Sequence, residues 1–285
     1  MKTFLLTLIL ISFSIIGLTK EKPAFIIYDA KGGETDFAKM VKATEEKQYL
    51  FFGEYHNNPI SHWLQFEFTK EMYVLKKNNL ILGAEMFEAD NQYIIDEYLT
   101  GFISEKSFNE EVRLWSNYST DYKPLLEFGK ANKLPFVATN IPRRYASMVF
   151  KKGLESLDGL SDLAKSYIVP LRTFVVDTTV ACYKELLNSD HGGVQMTIAQ
   201  AIKDATMAYF ILKNMKPKAT FLHYNGAYHS DNYQGIIHYL KQSIEIEKVM
   251  TITTVTQENI TELTEENKGL ADFIICVPET MTTTH

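Results

Sequence analysis

The sequence predicts an α/β protein whose largely parallel sheet is flanked by helices, with a smaller helical lobe inserted into it. Three observations carry this. Short apolar runs alternate with longer segments of helical period. Those runs are nearly continuous in apolar residues, as strands buried on both faces are. Between Ala138 and Thr220 the chain reads as helix after helix, far more than a crossover between parallel strands, roughly a dozen residues, requires.

Composition bounds the rest. A chain of 285 residues that is 46% hydrophobic can bury a full core in one large domain, or in a domain with a substantial insertion. The net charge of −6, the pI near 5.7 and the scattered Lys and Arg residues exclude the basic stripe of a nucleic-acid binder. Residues 1–19 read as an export signal: Lys2 precedes an apolar run from Phe4 to Leu18, shorter than the roughly 20 residues a membrane helix needs. Gly17 and Thr19 are the small residues before a cut at Lys20. No cysteine precedes Cys182, so the signal end offers no thiol for lipoprotein acylation, and the mature protein is expected to be soluble, periplasmic or extracellular. Cys182 and Cys276 are read as free buried thiols. An oxidising compartment permits a disulfide between them, but a chain of this size needs no such staple.

In chain order, a first strand is read at Phe25 to Tyr28, stopped by Gly32-Gly33, and then a helix from Thr35 to Lys47 with Phe37, Met40 and Val41 on one side. Strand Tyr49 to Phe52 runs into Gly53-Glu54-Tyr55-His56. Asn58 before Pro59 is an N-cap with proline at the first helical position, opening a helix to about Asn78. His62 and Gln65 fall in its first two turns, close to His56. Strand Leu80 to Met86 carries Glu85 to its end. The segment with Trp115, Tyr118 and Tyr122 reads as a lid, a contact surface for a partner or plain core. Helix Pro124 to Asn132 leads to strand Pro135 to Ala138, ended by Thr139 and Asn140. Pro142 opens a helix that stops at Gly153, so Arg143 and Arg144 lie in a first turn whose free N–H groups suit a carboxylate. The lobe is placed at 153–215 and the sheet domain at 20–152 and 216–285. The lobe's last helix, Thr197 to Asn214, is rich in alanine. Strands Thr220 to Tyr224, Val249 to Val255 and Phe273 to Val277 complete the sheet, and the first of them runs into a second echo, Gly226-Ala227-Tyr228-His229.

His56, Glu85, Asn140 with Arg144, and His229 therefore all arrive in loops that follow strands. In an open α/β sheet that carboxyl edge is where ligands bind, so the placements converge on one site. His223, inside a strand, is expected to be a satisfied core histidine. His191, His238 and the terminal His285 lack such company.

At these residues the chain resembles the ChaN-like haem-binding uptake family and its wider relatives, the Tiki peptidases and erythromycin esterases. The resemblance rests on Phe51 to His56 with His62 and Gln65, on Gly83-Ala84-Glu85-Met86-Phe87 and Pro142-Arg143-Arg144, and on Asp204-Ala205-Thr206-Met207-Ala208 and Gly226 to His229. It implies an exported α/β protein that binds haem, in several bacteria a membrane-anchored lipoprotein linked to iron acquisition. The missing signal-end cysteine departs from the anchored form. Haem binding asks for an apolar slot, an iron ligand, and cations or N–H groups for two propionates. Tyr209 is the expected iron ligand, since ferric iron favours a hard tyrosinate oxygen, and Met207 stands near it on the alanine-rich helix. The other reading of Tyr209 is a tyrosine half-buried in a helix interface. Arg143 and Arg144 are the expected propionate partners, with surface charge or a salt bridge to Glu85 as their structural alternative, and His62 accompanies the site. Another component of haem uptake is an expected partner, and a flat ligand on a small lobe leaves a face that a homodimer would cover.

Two further readings stay open. In the first, the chain is a peptidase- or esterase-like hydrolase: His56 and His229 act as bases or ligands to a divalent ion, Zn or Mn, Glu85 is a ligand or general base, Arg144 stabilises an oxyanion, and His62 orients His56. The chain has neither His-Glu-x-x-His nor a cysteine pair at ligand spacing, so such a metal would be gathered from distant loops. In the second, it is a binding module without catalysis or haem. For each histidine the structural alternative is a hydrogen bond that ties strand-end loops together.

Overall fold

The computed structural model describes residues 22–190 and 192–285. The export signal read at 1–19 and His191 lie outside these residues. The chain runs β1 (Ile26–Asp29), β2 (Glu34–Thr35), α1 (Phe37–Lys42), β3 (Tyr49–Glu54), α2 (Pro59–Lys76), β4 (Leu80–Glu88), α3 (Gln92–Leu99), α4 (Glu105–Glu111), α5 (Lys123–Ala131) and β5 (Phe136–Asn140). It continues through α6 (Arg143–Lys152), α7 (Asp162–Lys165), α8 (Ala181–Asn188), α9 (Val194–Asn214), β6 (Thr220–Gly226), α10 (Ile236–Leu240), β7 (Val249–Gln257) and β8 (Phe273–Pro278).

The strands form one sheet in the order β2-β1-β8-β7-β3-β6-β4-β5. From β8 to β5 every neighbouring pair is parallel; β1 is antiparallel to both β8 and β2. The α/β class with a largely parallel sheet is therefore what the chain adopts. The reason lies in the alternation along each strand. Leu50 and Phe52 of β3 face one side, against Phe68 and Met72 of α2 and Leu126 of α5. Tyr49 and Phe51 face the other, against Met207 and Ile211 of α9 and Ile237 of α10. Both faces are covered, so the strands must be apolar throughout. Each such side chain, fully buried, stabilises the fold by roughly 1.5–3 kcal/mol.

Asn58 caps α2 as expected, its side chain accepting from the N–H groups of Ile60 and Ser61 at 3.0 and 3.1 Å. Helix α1 ends at Lys42, short of the expected Lys47. The Thr44 hydroxyl donates to the Val41 carbonyl, and Lys76 Nζ donates to the carbonyls of Thr44 and Glu45, so the carbonyls of the next turn are taken by side chains. The open edge at β5 is shielded by one side chain. Gln92 donates to the Phe136 carbonyl (2.9 Å) and accepts from the Ala138 N–H (2.6 Å), as a neighbouring strand would.

The long segment between β5 and β6 is helical. Its own core joins Ile141, Tyr145 and Val149 at α6 to Tyr183 of α8 and Ile202 and Ala205 of α9. Helix α9 belongs to both layers: residues up to Ala205 pack into the lobe core, and Met207 to Ile211 pack under the sheet. Cys182 and Cys276 are both free and buried, and burial pushes both thiols up to about 11.

Candidate functional site

Strands β3 and β6 are direct neighbours in parallel register, with Gly53 beside Asn225 and Glu54 beside Gly226. The two echoes therefore leave the sheet together, and His56 and His229 reach the same carboxyl edge. β4 flanks β6 on the other side. Its ladder with β5 shifts register between Ala84 and Glu88, a bulge of the kind that re-aims side chains. Glu85, within that irregular stretch, and Glu88, at its end, both wall a cavity of about 370 Å³ at this edge, with His56, His229, Arg143 and Lys203. An outer chamber of about 460 Å³ shares His56, Glu88, Trp115 and Arg143 with it and adds Arg113 and His285.

His56 is the accessible imidazole. Its Nδ1–H donates to Glu54 Oε1 at 2.9 Å, and Trp115 packs edge-on against the ring at 4.9 Å. Glu54 is buried and fixed from several sides: Gln65 Nε2 donates to it at 2.5 Å and the Tyr122 hydroxyl at 2.7 Å. His62 Nε2 donates to the His56 carbonyl at 3.1 Å and lies 3.4 Å from Asp121, while its Nδ1 lies 3.6 Å from Glu54. His62 thus steadies the backbone and the carboxylate of His56 rather than its ring. Burial works against charge on His56, but the Glu54 hydrogen bond and the Glu85 and Glu54 carboxylates outweigh it and raise its pKa above 6.5. Gly226 permits this arrangement: a Cβ there would lie 2.8 Å from His56 Nε2.

His229 is a different kind of group. It is buried between two carboxylates, with Nδ1–H donating to Asp204 and Nε2–H to Glu85 at 3.2 Å. Asp204 also accepts from the Tyr183 hydroxyl at 2.7 Å, and Glu85 Oε2 accepts from the Gly226 N–H at 2.8 Å. Burial alone would depress the His229 pKa; Glu85 and then Asp204 reverse this and push it up to about 10. For Glu85, burial raises the pKa, yet His229 and His56 hold it far below the carboxylate range. His229 is therefore a fixed cation that keeps Glu85 ionised.

The metal alternative finds no donor set. Among the described residues no three His, Cys, Asp or Glu side chains are placed to hold a metal ion. Both ring nitrogens of His229 are engaged by carboxylates, Asp204 and Glu85, and both Glu85 oxygens are hydrogen-bonded, so neither residue presents a free donor to zinc or manganese.

The two arginines part company. Arg144 pairs with Asp90 at 2.6 Å and lies over the Tyr145 ring, outside the cavity wall. Arg143 lines the cavity. The seat for a carboxylate at the start of α6 is taken by the protein itself: burial raises the Glu88 pKa, and the Arg143 backbone N–H hydrogen-bonded to its carboxylate pulls the other way. Asn140 donates to the Glu85 carbonyl at 3.0 Å and so ties β5 to β4.

Met207 is wholly enclosed under the sheet and has no surface for a ligand, a correction to its expected place beside one. Tyr209, two residues on, is half-buried on the flank of α9, outside the wall of the cavity. Its ring meets Phe210 at 5.1 Å and the Lys213 ammonium at 5.6 Å. Its hydroxyl makes no hydrogen bond among the described residues. For haem, the cavity is a poor fit, since charged side chains on its wall outnumber the apolar Trp115, Ile141 and Ala146. The Tyr209 flank fits better: a free phenol oxygen, aromatic surface and one cation.

His223 is the satisfied core histidine expected, meeting Thr139 at 2.7 Å and Asn225 at 3.0 Å, and burial lowers its pKa to about 4. His285 is a correction. The Thr284 N–H donates to the Asn57 carbonyl at 2.9 Å and its hydroxyl to Asp121 at 2.9 Å, which brings His285 into the outer chamber. Trp115 to Tyr122 is neither a free surface nor a detached lid: Tyr118 and Tyr122 are buried in a single π turn, and Trp115 walls the cavity. Sequence reading missed Glu54, Asp204 and Lys203 as site residues, although the first two stand inside quoted motifs. An acid two residues before His56 was the available signal.

The chain superposes on a Campylobacter jejuni ChaN structure described as showing cofacial haem binding, with a TM-score of 0.65 at 16% identity over 88% of this chain and 96% of that one. A Bacillus cereus protein aligns with a TM-score of 0.51 at 9% identity, over 84% and 90% of the two chains. An erythromycin esterase in its open conformation aligns at 0.49 with 11% identity, over 90% and 83%. No curated protein matches the sequence. Likeness at these identities speaks for the fold alone. The family is fixed by a sequence model described as haem-binding uptake, Tiki superfamily, ChaN, which matches residues 40–240. The chain belongs to the ChaN haem-binding uptake family.

Proposed function

We propose that this is an exported haem-binding protein of iron uptake or haem handling, with Tyr209 as the iron ligand on the flank of α9. Family membership supports haem as the ligand. The observation that carries the choice of residue is the Tyr209 phenol, half-exposed and without a hydrogen-bond partner among the described residues, beside the Lys213 ammonium. A phenol oxygen with no protein partner is free to meet a metal, and as tyrosinate it is a hard donor suited to ferric iron. Lys213, over the Tyr209 and Phe210 rings, supplies a cation on the same flank of the kind that pairs with a propionate. Among the described residues no helix is long and apolar enough to cross a membrane. The test is a hemin titration followed by absorption. A shifted Soret band at one equivalent, weakened about tenfold or more in affinity by Tyr209→Phe, is the expected result; an unchanged titration in the variant removes Tyr209 from the role.

One observation favours a second reading, hydrolysis. A buried carboxylate, Glu54, orients an accessible imidazole, His56, toward a cavity, which is the base-and-orienter half of a nucleophilic or water-activating site. The burial of His229 between Glu85 and Asp204, which favours its charged form, supports His56 rather than His229 as the base. Turnover of ester or peptide substrates that is abolished by His56→Ala and kept by Tyr209→Phe would establish it.

A further inference from the structure

The wall of the strand-end cavity is unevenly matched in charge. Each carboxylate on it is engaged: Glu85 by His229 and the Gly226 N–H, Glu88 by Arg113 at 3.5 Å. The cations are not. Among the described residues neither the Arg143 guanidinium nor the Lys203 ammonium has a carboxylate partner, and they come from two helices, α6 and α9, packed side by side.

We propose that this cavity is an oxyanion-binding site in which Arg143 and Lys203 grip a small carboxylate or phosphate beside His56. A planar guanidinium offers two parallel N–H bonds to such a group and an ammonium offers a point charge from a second direction. His229, held as a cation beneath by two carboxylates, adds to the positive potential of the wall. The volume of about 370 Å³ suits a small polar molecule, near the lower end of the roughly 300–1,000 Å³ usual for ligand pockets. Trp115 and Ile141 supply the apolar side on which the remainder of the ligand lies. The site is separate from Tyr209, so it stands or falls independently of the iron ligand.

Calorimetric titration of the purified chain with succinate and with inorganic phosphate, in low-chloride buffer, tests it. The expected result is saturable binding of at least one probe, weakened about tenfold, or ~1.4 kcal/mol, in Arg143→Gln and in Lys203→Gln, and largely restored in Lys203→Arg. In the wild type, the bound probe should shift the His56 ring resonances and leave those of buried His223 in place. Hemin distinguishes the sources of the oxyanion. Succinate that competes with hemin, with hemin affinity falling in the same two variants, identifies a haem propionate; unchanged hemin affinity alongside lost succinate or phosphate binding identifies a free small acid. No saturable binding of either probe, binding that both Gln variants keep, or a His56 signal that does not move overturns the site.

Discussion

At the scale of single residues, the two histidines of the paired echoes have opposite characters, set by their carboxylates. His56 has one buried partner and an exposed edge; His229 has two partners and none. Removing the charge at Glu54 should therefore let the His56 pKa fall. Glu54→Gln, followed by NMR titration of the imidazole, should move it downward, and an unmoved value would assign the rise to other groups. His229 makes a prediction about stability. Its pKa is about 10 in the folded chain and near 6.5 when unfolded. The folded state thus binds the extra proton between those values, so this contribution is complete below pH 6.5 and is lost as pH rises toward 10, by up to about 1.4 kcal/mol per pH unit. Urea unfolding at pH 7 and pH 9 should show the decline, and His229→Gln should flatten it. Gly226→Ala should displace the His56 ring by steric contact and weaken any ligand that uses it, with the β6 strand otherwise intact. The positions of both histidines were legible in the sequence because a motif directly after a strand fixes where its side chain emerges. Their characters were not: Asp204 lies on a helix of the inserted segment, and nothing local in the sequence shows that it meets His229.

At the scale of elements, apolar period and punctuation located the strands and the long helices. Asn58-Pro59 marked the start of α2, because cap chemistry is local. What escaped were features made by partners distant in sequence. The extension of β4 to Glu88 depends on β5, across a register shift that no residue of β4 announces. The short α1 depends on Lys76 from the next helix. Gln92 is the sharpest case, a surface-type residue whose amide completes the ladder of the edge strand β5. Gln92→Ala leaves a carbonyl and an N–H on that edge without their partner. It should cost about 1–3 kcal/mol of stability and increase self-association on heating, read by urea unfolding and light scattering. Loss of stability without added association would mean that neighbouring loops cover the edge.

For the molecule as a whole, α9 links the lobe to the sheet. The same helix supplies the alanines of the lobe core, the buried Met207 under the sheet, Asp204 beneath His229, Lys203 on the cavity wall and Tyr209 on the outer flank. Unfolding should therefore be one transition, with far-UV circular dichroism and tryptophan fluorescence coincident; two separated transitions would show that the lobe melts on its own. The shared helix also explains why function was harder to place than fold. Polar residues at strand ends pointed to one cleft, while the residue chosen for iron lies one helix face away from it. The central claim is that these are two places, a charged cleft around His56 and a haem face at Tyr209. Parallel hemin titrations of Tyr209→Phe and His56→Ala test it most directly. The account requires the Soret shift to fade in the first variant and persist in the second; a shift that survives Tyr209→Phe and is lost in His56→Ala would contradict it.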